Sequence, residues 1–255
     1  MHKNAIFKKT LRMRFPIITF FIALSCVFNV AIAQQSFKFA HVTDTHVGGA
    51  TGEEDLRRTV KDLNTLKDID FVIVSGDITE FGADHELKLA KRILDSLQLP
   101  WYVIPGNHDG NWSENGANTF RTVFGGETFF FKHKGYAFIG TNSGPNMRMS
   151  PGQIPRENLV WMDSIFAANP DKQLPLIYIN HYPQDSSLNN WFDALKRVKT
   201  RNVQLALCGH GHANKLYDWE GIPGVMGRSN LRANKAVGGY NIVTIADGKA
   251  SYQER

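Results

Sequence analysis

Five short polar motifs run in a fixed order along this chain: Asp44-Thr45-His46, Gly76-Asp77, Gly106-Asn107-His108-Asp109, Asn180-His181 and Gly209-His210-Gly211-His212. Carboxylate, carboxamide and imidazole donors mixed in this way suit manganese, iron or zinc better than calcium, which prefers oxygen alone. Asp44 and His46 are two residues apart, a spacing that on an extended strand puts both side chains on one face. Asp77 follows a glycine that permits a tight turn, and its two oxygens are enough to bridge two ions. Gly211 leaves no bulk between His210 and His212. His108, next to the neutral donor Asn107, is a candidate acid. Each motif alone is a weak signal, and a single buried histidine is as readily a hydrogen-bonded core residue. Asp44, His46, Asp77, Asn107, His181, His210 and His212 together, most of them beside glycine, exceed what turn chemistry requires.

The elements that must position these residues are legible in the apolar pattern. Four motifs directly follow β-like runs: Phe37 to Val42, Phe71 to Val74, Leu176 to Ile179 and Val203 to Leu207. The remaining motif follows Trp101 to Ile104 across Pro105. Glu53 to Lys67 and Ala83 to Leu97 carry apolar residues at helical spacing. The first half therefore reads β-α-β-α-β, the signature of a mainly parallel sheet. In the second half, Thr128 to Lys132 and Tyr136 to Thr141 flank His133-Lys134-Gly135 as a hairpin. Helices are expected at Pro155 to Ala168 and Asn189 to Lys199. Strands are expected at Leu174 to Asn180, Val203 to Leu207, Ala213 to Trp219, Pro223 to Met226, Tyr240 to Ile245 and Ala250 to Gln253. Two sheets follow, the second expected to be richer in antiparallel pairs. With no internal repeat or low-complexity linker, residues 34–255 read as one domain.

Composition narrows the function classes. The formal charge of +5 arises in the first 33 residues, where Lys3, Lys8, Lys9, Arg12 and Arg14 meet no acidic residue. Beyond them 24 basic residues face 24 acidic ones, so no nucleic-acid patch is evident from the alkaline balance. Residues 1–33 read as an export signal: a basic stretch to Arg14, an apolar run from Phe15 to Val30, then Ala31-Ile32-Ala33 before Gln34. This places the mature chain in the periplasm or outside the cell. Rival readings are an uncleaved membrane anchor over residues 15–33 and a lipid attachment at Cys26. A membrane partner is expected only in those cases. After cleavage Cys208 stands alone, so no intrachain disulfide can form. Its apolar setting reads as a buried small hydrophobe. His41, His85 and His133 read as structural or solvated.

The ordered motif set resembles the calcineurin-like metallophosphoesterases, and the resemblance extends from Phe37 to about Ile245. It implies an α/β fold, a four-layer α/β/β/α sandwich with two mixed sheets and a dinuclear metal site at the strand ends. Carried over by motif, Asp44, His46, Asp77 and His212 hold one transition-metal ion. Asp77, Asn107, His181 and His210 hold the other. His108 becomes the acid that assists the leaving group, with Asp109 behind it. The implied activity is hydrolysis of a small phosphomonoester or phosphodiester by a hydroxide bridging the ions. By motif style the bacterial cyclic-nucleotide phosphodiesterases stand nearest. The alternative is a catalytically weak, metal-bound scaffold that serves partner binding, which would not need His108. Around the site, the polar Asn111 to Asn118 loop with Trp112 reads equally as pocket wall or plain surface. Tyr182 is a candidate substrate contact, and Arg228 and Arg232 are candidates for a second phosphate.

Overall fold

In β1 (Phe37–Val42), Phe37 and Phe39 turn to one side and Ala40 and Val42 to the other, and both sides are buried. The same split holds in β2 (Phe71–Ser75), with Phe71 and Ile73 opposite Val72 and Val74. Strands buried on both faces must lie inside a stack of layers. This computed structural model describes residues 35–111, 113–115, 117–144, 151–232 and 238–255. The N-terminal segment expected to direct export, and Trp112, lie outside the described residues. Among the described residues, no helix is long and apolar enough to cross a membrane.

The first sheet has the order β11-β10-β1-β2-β3, where β3 is Trp101–Ile104, β10 Asn241–Ala246 and β11 Lys249–Glu254. The second has the order β4-β5-β6-β7-β9-β8. Its strands are β4 (Phe129–His133), β5 (Tyr136–Thr141), β6 (Pro175–Asn180), β7 (Asn202–Cys208), β8 (Lys215–Trp219) and β9 (Ile222–Met226). Phe39, Phe71, Phe131 and Phe138 fill the space between the sheets, with Phe39 stacked on Phe71 at 5.0 Å and Phe131 on Phe138 at 4.7 Å. Each ring buried there contributes roughly 1.5–3 kcal/mol from removal of apolar area from water. Helices α1 (Gly52–Leu63) and α2 (Asp84–Leu94) cover the outer face of the first sheet through Leu56, Val60, Leu87 and Ile93. Between β3 and β4 lie two further helices, α3 (His108–Asn111) and α4 (Asn118–Phe124). Helices α5 (Arg156–Ala168) and α6 (Trp191–Val198) cover the second sheet through Leu159, Met162, Leu195 and Val198. The result is the expected α/β/β/α sandwich of two mixed sheets.

Three expectations need correction. The second sheet is not the richer in antiparallel pairs: it has three parallel and two antiparallel pairings, because α5 and α6 act as crossovers that return the chain in the same direction. His133 is not in the hairpin turn. It ends β4, pairs with Tyr136 and bonds Asp70 at 2.6 Å, while Lys134 and Gly135 make the two-residue turn with φ of 43° and 82°. Part of the expected polar loop is helical: α4 begins at Asn118, its Thr119 N–H donating to the Asn115 side chain at 2.8 Å.

What matters for function is direction. β1, β2 and β3 run parallel, as do β5, β6, β7 and β9. The C-terminal ends that carry the motifs therefore emerge together in each sheet, where open α/β structures present their chemistry.

Candidate metal centre

The loops after β1 and β2 are zipped together past the ends of the strands. Asp44 N–H donates to Gly76 O, His46 N–H to Asp77 O and Val47 N–H to Ile78 O, all at 2.9–3.0 Å. Asp44 and His46 are not on an extended strand, contrary to the sequence expectation. Their φ values are 53° and 44°, and those of Asp77, His210 and His212 are 48°, 70° and 56°. Left-handed backbone at a non-glycine residue costs of order 1–3 kcal/mol and persists only where the surroundings impose it. Here it turns successive side chains inward from loops too short to curve otherwise. Gly106 is required by proximity: a Cβ there would sit 2.2 Å from Asp77 Oδ1 and 2.3 Å from its main-chain nitrogen.

Among the described residues, two of the donor groups consist of residues that the sequence singled out. Asp44, His46 and His212 form one, Asp77, His181 and His210 the other. In the first, His46 Nε2 and His212 Nε2 are 3.2 Å apart and Asp44 Oδ1 is 3.3 Å from His212 Nε2. In the second, His181 Nε2 is 3.1 Å from Asp77 Oδ2, and His210 Nδ1 is 3.1 Å from Asn107 Oδ1. Asp77 joins the groups through a single oxygen. Its Oδ1 accepts the His108 N–H at 2.8 Å, whereas its Oδ2 also lies 3.9 Å from His46 Nε2.

The electrostatics are those of charges gathered in a buried place. Burial alone would push the Asp77 carboxyl up, but His181, His46 and His108 hold it below the ordinary range. Burial would likewise lower His181, yet the Asp77 carboxylate outweighs it and the imidazole is pushed up to about 9. His210 is lowered to about 4, by burial and by the charge of His181. Metal ligation fits this donor set on the structure's own terms. His181 Nδ1–H donates to Ser75 O at 2.8 Å, so Nε2 is the nitrogen left to ligate once its proton is displaced, and among the described residues that buried atom has no hydrogen-bond partner. Two imidazole nitrogens at 3.2 Å also need a proton or a cation between them.

Neighbouring residues sort themselves by contact. His108 packs edge-on against His46 with ring centroids 4.7 Å apart, and its Nδ1–H donates to Glu80 O at 2.6 Å. Asp109 is fully buried, and among the described residues its hydrogen bonds come from Gly106 N, Ile78 N, Thr79 N and Thr79 Oγ1, none from His108. It staples the loop after β3 to the loop after β2. Burial and the Asp77 charge push its carboxyl up to about 6. Tyr182 is buried and stacks on His210 at 4.1 Å, a support for that ring. Arg232 pairs with Asp55 and Glu54, and Arg228 with Glu254. His41 is buried against Ser75, and Cys208 is a buried free thiol pushed up by burial. Glu80 escaped the sequence reading: its Oε2 is 2.9 Å from His46 Nδ1. The available signal was a carboxylate three residues beyond Asp77 in the same loop.

The sequence profile of calcineurin-like phosphoesterases matches residues 37–214, which hold every one of these donors. The chain belongs to the calcineurin-like phosphoesterase family. Hydrolysis of phosphoric esters is the activity that this membership and the donor cluster support. Among curated relatives, this calcineurin-like chain is 29% identical over 210 residues to the probable glycerophosphodiester phosphodiesterase GpdQ of Arcobacter nitrofigilis, covering 71% of this chain and 74% of that protein. It is 26% identical over 192 residues to a 3′,5′-cyclic-nucleotide phosphodiesterase of Nostoc, covering 68% of this chain and 70% of the relative. Among solved structures, the yellow lupin purple acid phosphatase PPD1 superposes with a TM-score of 0.61 at 13% identity, over 88% of this chain. This chain spans about half of that plant protein (52%), and the likeness is one of fold.

Proposed function

We propose that this phosphoesterase hydrolyses small phosphodiesters at a dinuclear transition-metal site of manganese, iron or zinc. The observation that carries the reading is Asp77 Oδ2, which faces His181 Nε2 at 3.1 Å and His46 Nε2 at 3.9 Å and so belongs to both donor groups. Asp44, His46, Asp77 and His212 would hold one ion, and Asp77, Asn107, His181 and His210 the other. When bound, the two cations supply Lewis-acid charge for the phosphoryl oxygens and an activated water. The relatives named for glycerophosphodiesters and cyclic nucleotides favour a diester over a monoester.

His108 supplies what the donors do not. Its Nδ1–H is committed to Glu80 O, which leaves Nε2 to hold the proton that goes to the departing alkoxide. Its main-chain N–H fixes Asp77 Oδ1, so one residue orients both the proposed bridge and the proposed acid. Asp109 positions this loop and does not touch the reacting atoms. A scaffold that only binds partners has no use for such a placed imidazole. The deciding experiment loads the purified chain with manganese and compares an aryl phosphodiester with the matching monoester. Faster diester turnover supports the proposal, and equal or faster monoester turnover sinks the diester preference.

We further propose that the chain is exported and loses Met1 to Ala33. Intact-mass measurement on envelope material should show a chain beginning near Gln34. A full-length mass in membranes favours the anchor, and a lipid adduct at Cys26 the lipoprotein.

A further inference from the structure

Glu80 meets both halves of the proposed catalytic apparatus. Its carboxylate Oε2 lies 2.9 Å from His46 Nδ1, an ion-pair contact rather than an aligned hydrogen bond. Its main-chain carbonyl accepts the His108 Nδ1–H at 2.6 Å. Its own N–H donates to Val47 O at 3.0 Å, one residue past His46. The two imidazoles it touches pack edge-on at 4.7 Å. Glu80 is thus the point where the loop carrying His46, the loop carrying Asp77 and the first turn of α3 are fastened together.

We propose that Glu80 is a positioning residue that sets the affinity of the Asp44, His46 and His212 donor group and holds His108 in register with it. The inference rests on the dinuclear reading above. The chemistry is that of a carboxylate beside the outer nitrogen of a ligating histidine. Negative charge at Nδ1 keeps the proton on that nitrogen, leaves Nε2 with its lone pair toward Asp44 and His212, and makes that lone pair more basic. The side chain acts on His46 alone. His108 is held through the main chain, which a change of side chain leaves in place. The two functions of Glu80 therefore separate experimentally.

Glu80, His46 and His108 themselves lie close enough to form a third donor group, so the rival role for Glu80 is that of a ligand to another cation. The test measures manganese and zinc binding to the purified protein by competition with a chromogenic chelator, in wild type, Glu80→Ala and Glu80→Gln. Glu80→Ala should weaken one of the two ions by about 10–100-fold, the usual effect of removing such a partner, and leave the other unchanged. Glu80→Gln, which keeps an acceptor but loses the charge, should fall between. The thermal midpoint of the metal-free protein should not move, since the Glu80 side chain is 30% exposed. The ratio of alkyl to aryl ester turnover should also stay as in wild type, because the contact to His108 is through the carbonyl. Wild type holding two ions while Glu80→Ala holds both equally tightly overturns the role of Glu80 alone. Three ions in wild type and two in the variant overturn positioning in favour of ligation. A wild type that takes up fewer than two ions overturns this inference together with the dinuclear reading.

Discussion

His46 Nε2 and His212 Nε2 face each other at 3.2 Å, although 166 residues of chain separate them. Neither can be the other's neighbour by local structure, since both sit in left-handed backbone at the ends of strands in different sheets. Two lone pairs at that distance repel unless a positive charge lies between them.

A cation is therefore expected to stabilise the fold measurably. Elemental analysis after loading with manganese, iron or zinc should give two ions per chain. Free metal at a hundredfold excess over its dissociation constant should add about 2.7 kcal/mol per site. His212→Ala should lose one ion, whereas Asp77→Asn should weaken both. Loss of only one ion in Asp77→Asn would show that another group bridges.

His108→Ala should keep both metals and the thermal midpoint, yet lower turnover by roughly 10²–10⁴. The loss should shrink for an aryl ester, whose leaving group departs without a proton. Equal losses for alkyl and aryl esters would refute the acid role and leave only phosphate positioning.

His181 gives the pH test. In the metal-free chain its imidazole is pushed up from 6.5 to about 9: burial opposes the charge, and the Asp77 carboxylate overcomes it. The folded state then keeps a proton that the unfolded chain releases between those values. That stabilisation is complete below pH 6.5 and is lost as the pH rises through 9, a change of about 3 kcal/mol. Urea midpoints of the metal-free protein, compared with His181→Gln, should show this decline. Apparent metal affinity should rise over the same window, because the ion must displace that proton. A wild-type stability that tracks the variant from pH 6.5 to 9 contradicts the ion pair.

Gly106→Ala should be harmful out of proportion to its size. The added methyl meets Asp77 Oδ1 and Asp77 N within 2.3 Å, and main chain cannot swing aside as a long side chain can. A cost of about 1–3 kcal/mol and weaker binding of both ions are expected by chemical denaturation and metal titration. A variant of unchanged stability would show that the loops after β2 and β3 are not in this contact.

Much of this protein is written locally. Phe37 to Val42 is mostly apolar on both sides because β1 has two buried faces, and the run reads as a strand without any partner being known. The motifs stand out because polar residues beside glycine at the ends of such runs are unusual, and their order is enough to name the family. The seven proposed ligands were all legible in this way, and the structure brings them to one edge. What tertiary structure alone decided depends on atoms far apart in the chain. The antiparallel return of β10 to β1, with Phe37 opposite Ile245, has no local signature. Asp77 offers one oxygen rather than two because the His108 N–H, 31 residues away, occupies the other. Asp109 looked like a partner for its neighbour His108, but its carboxylate turns back to Ile78 and Thr79. Glu80 offered only its place three residues beyond Asp77, and its meaning comes from the approach of His46 across two loops. Side-chain type and spacing follow from chain-local physics; which lone pair meets which proton follows only from the packing of the sheets.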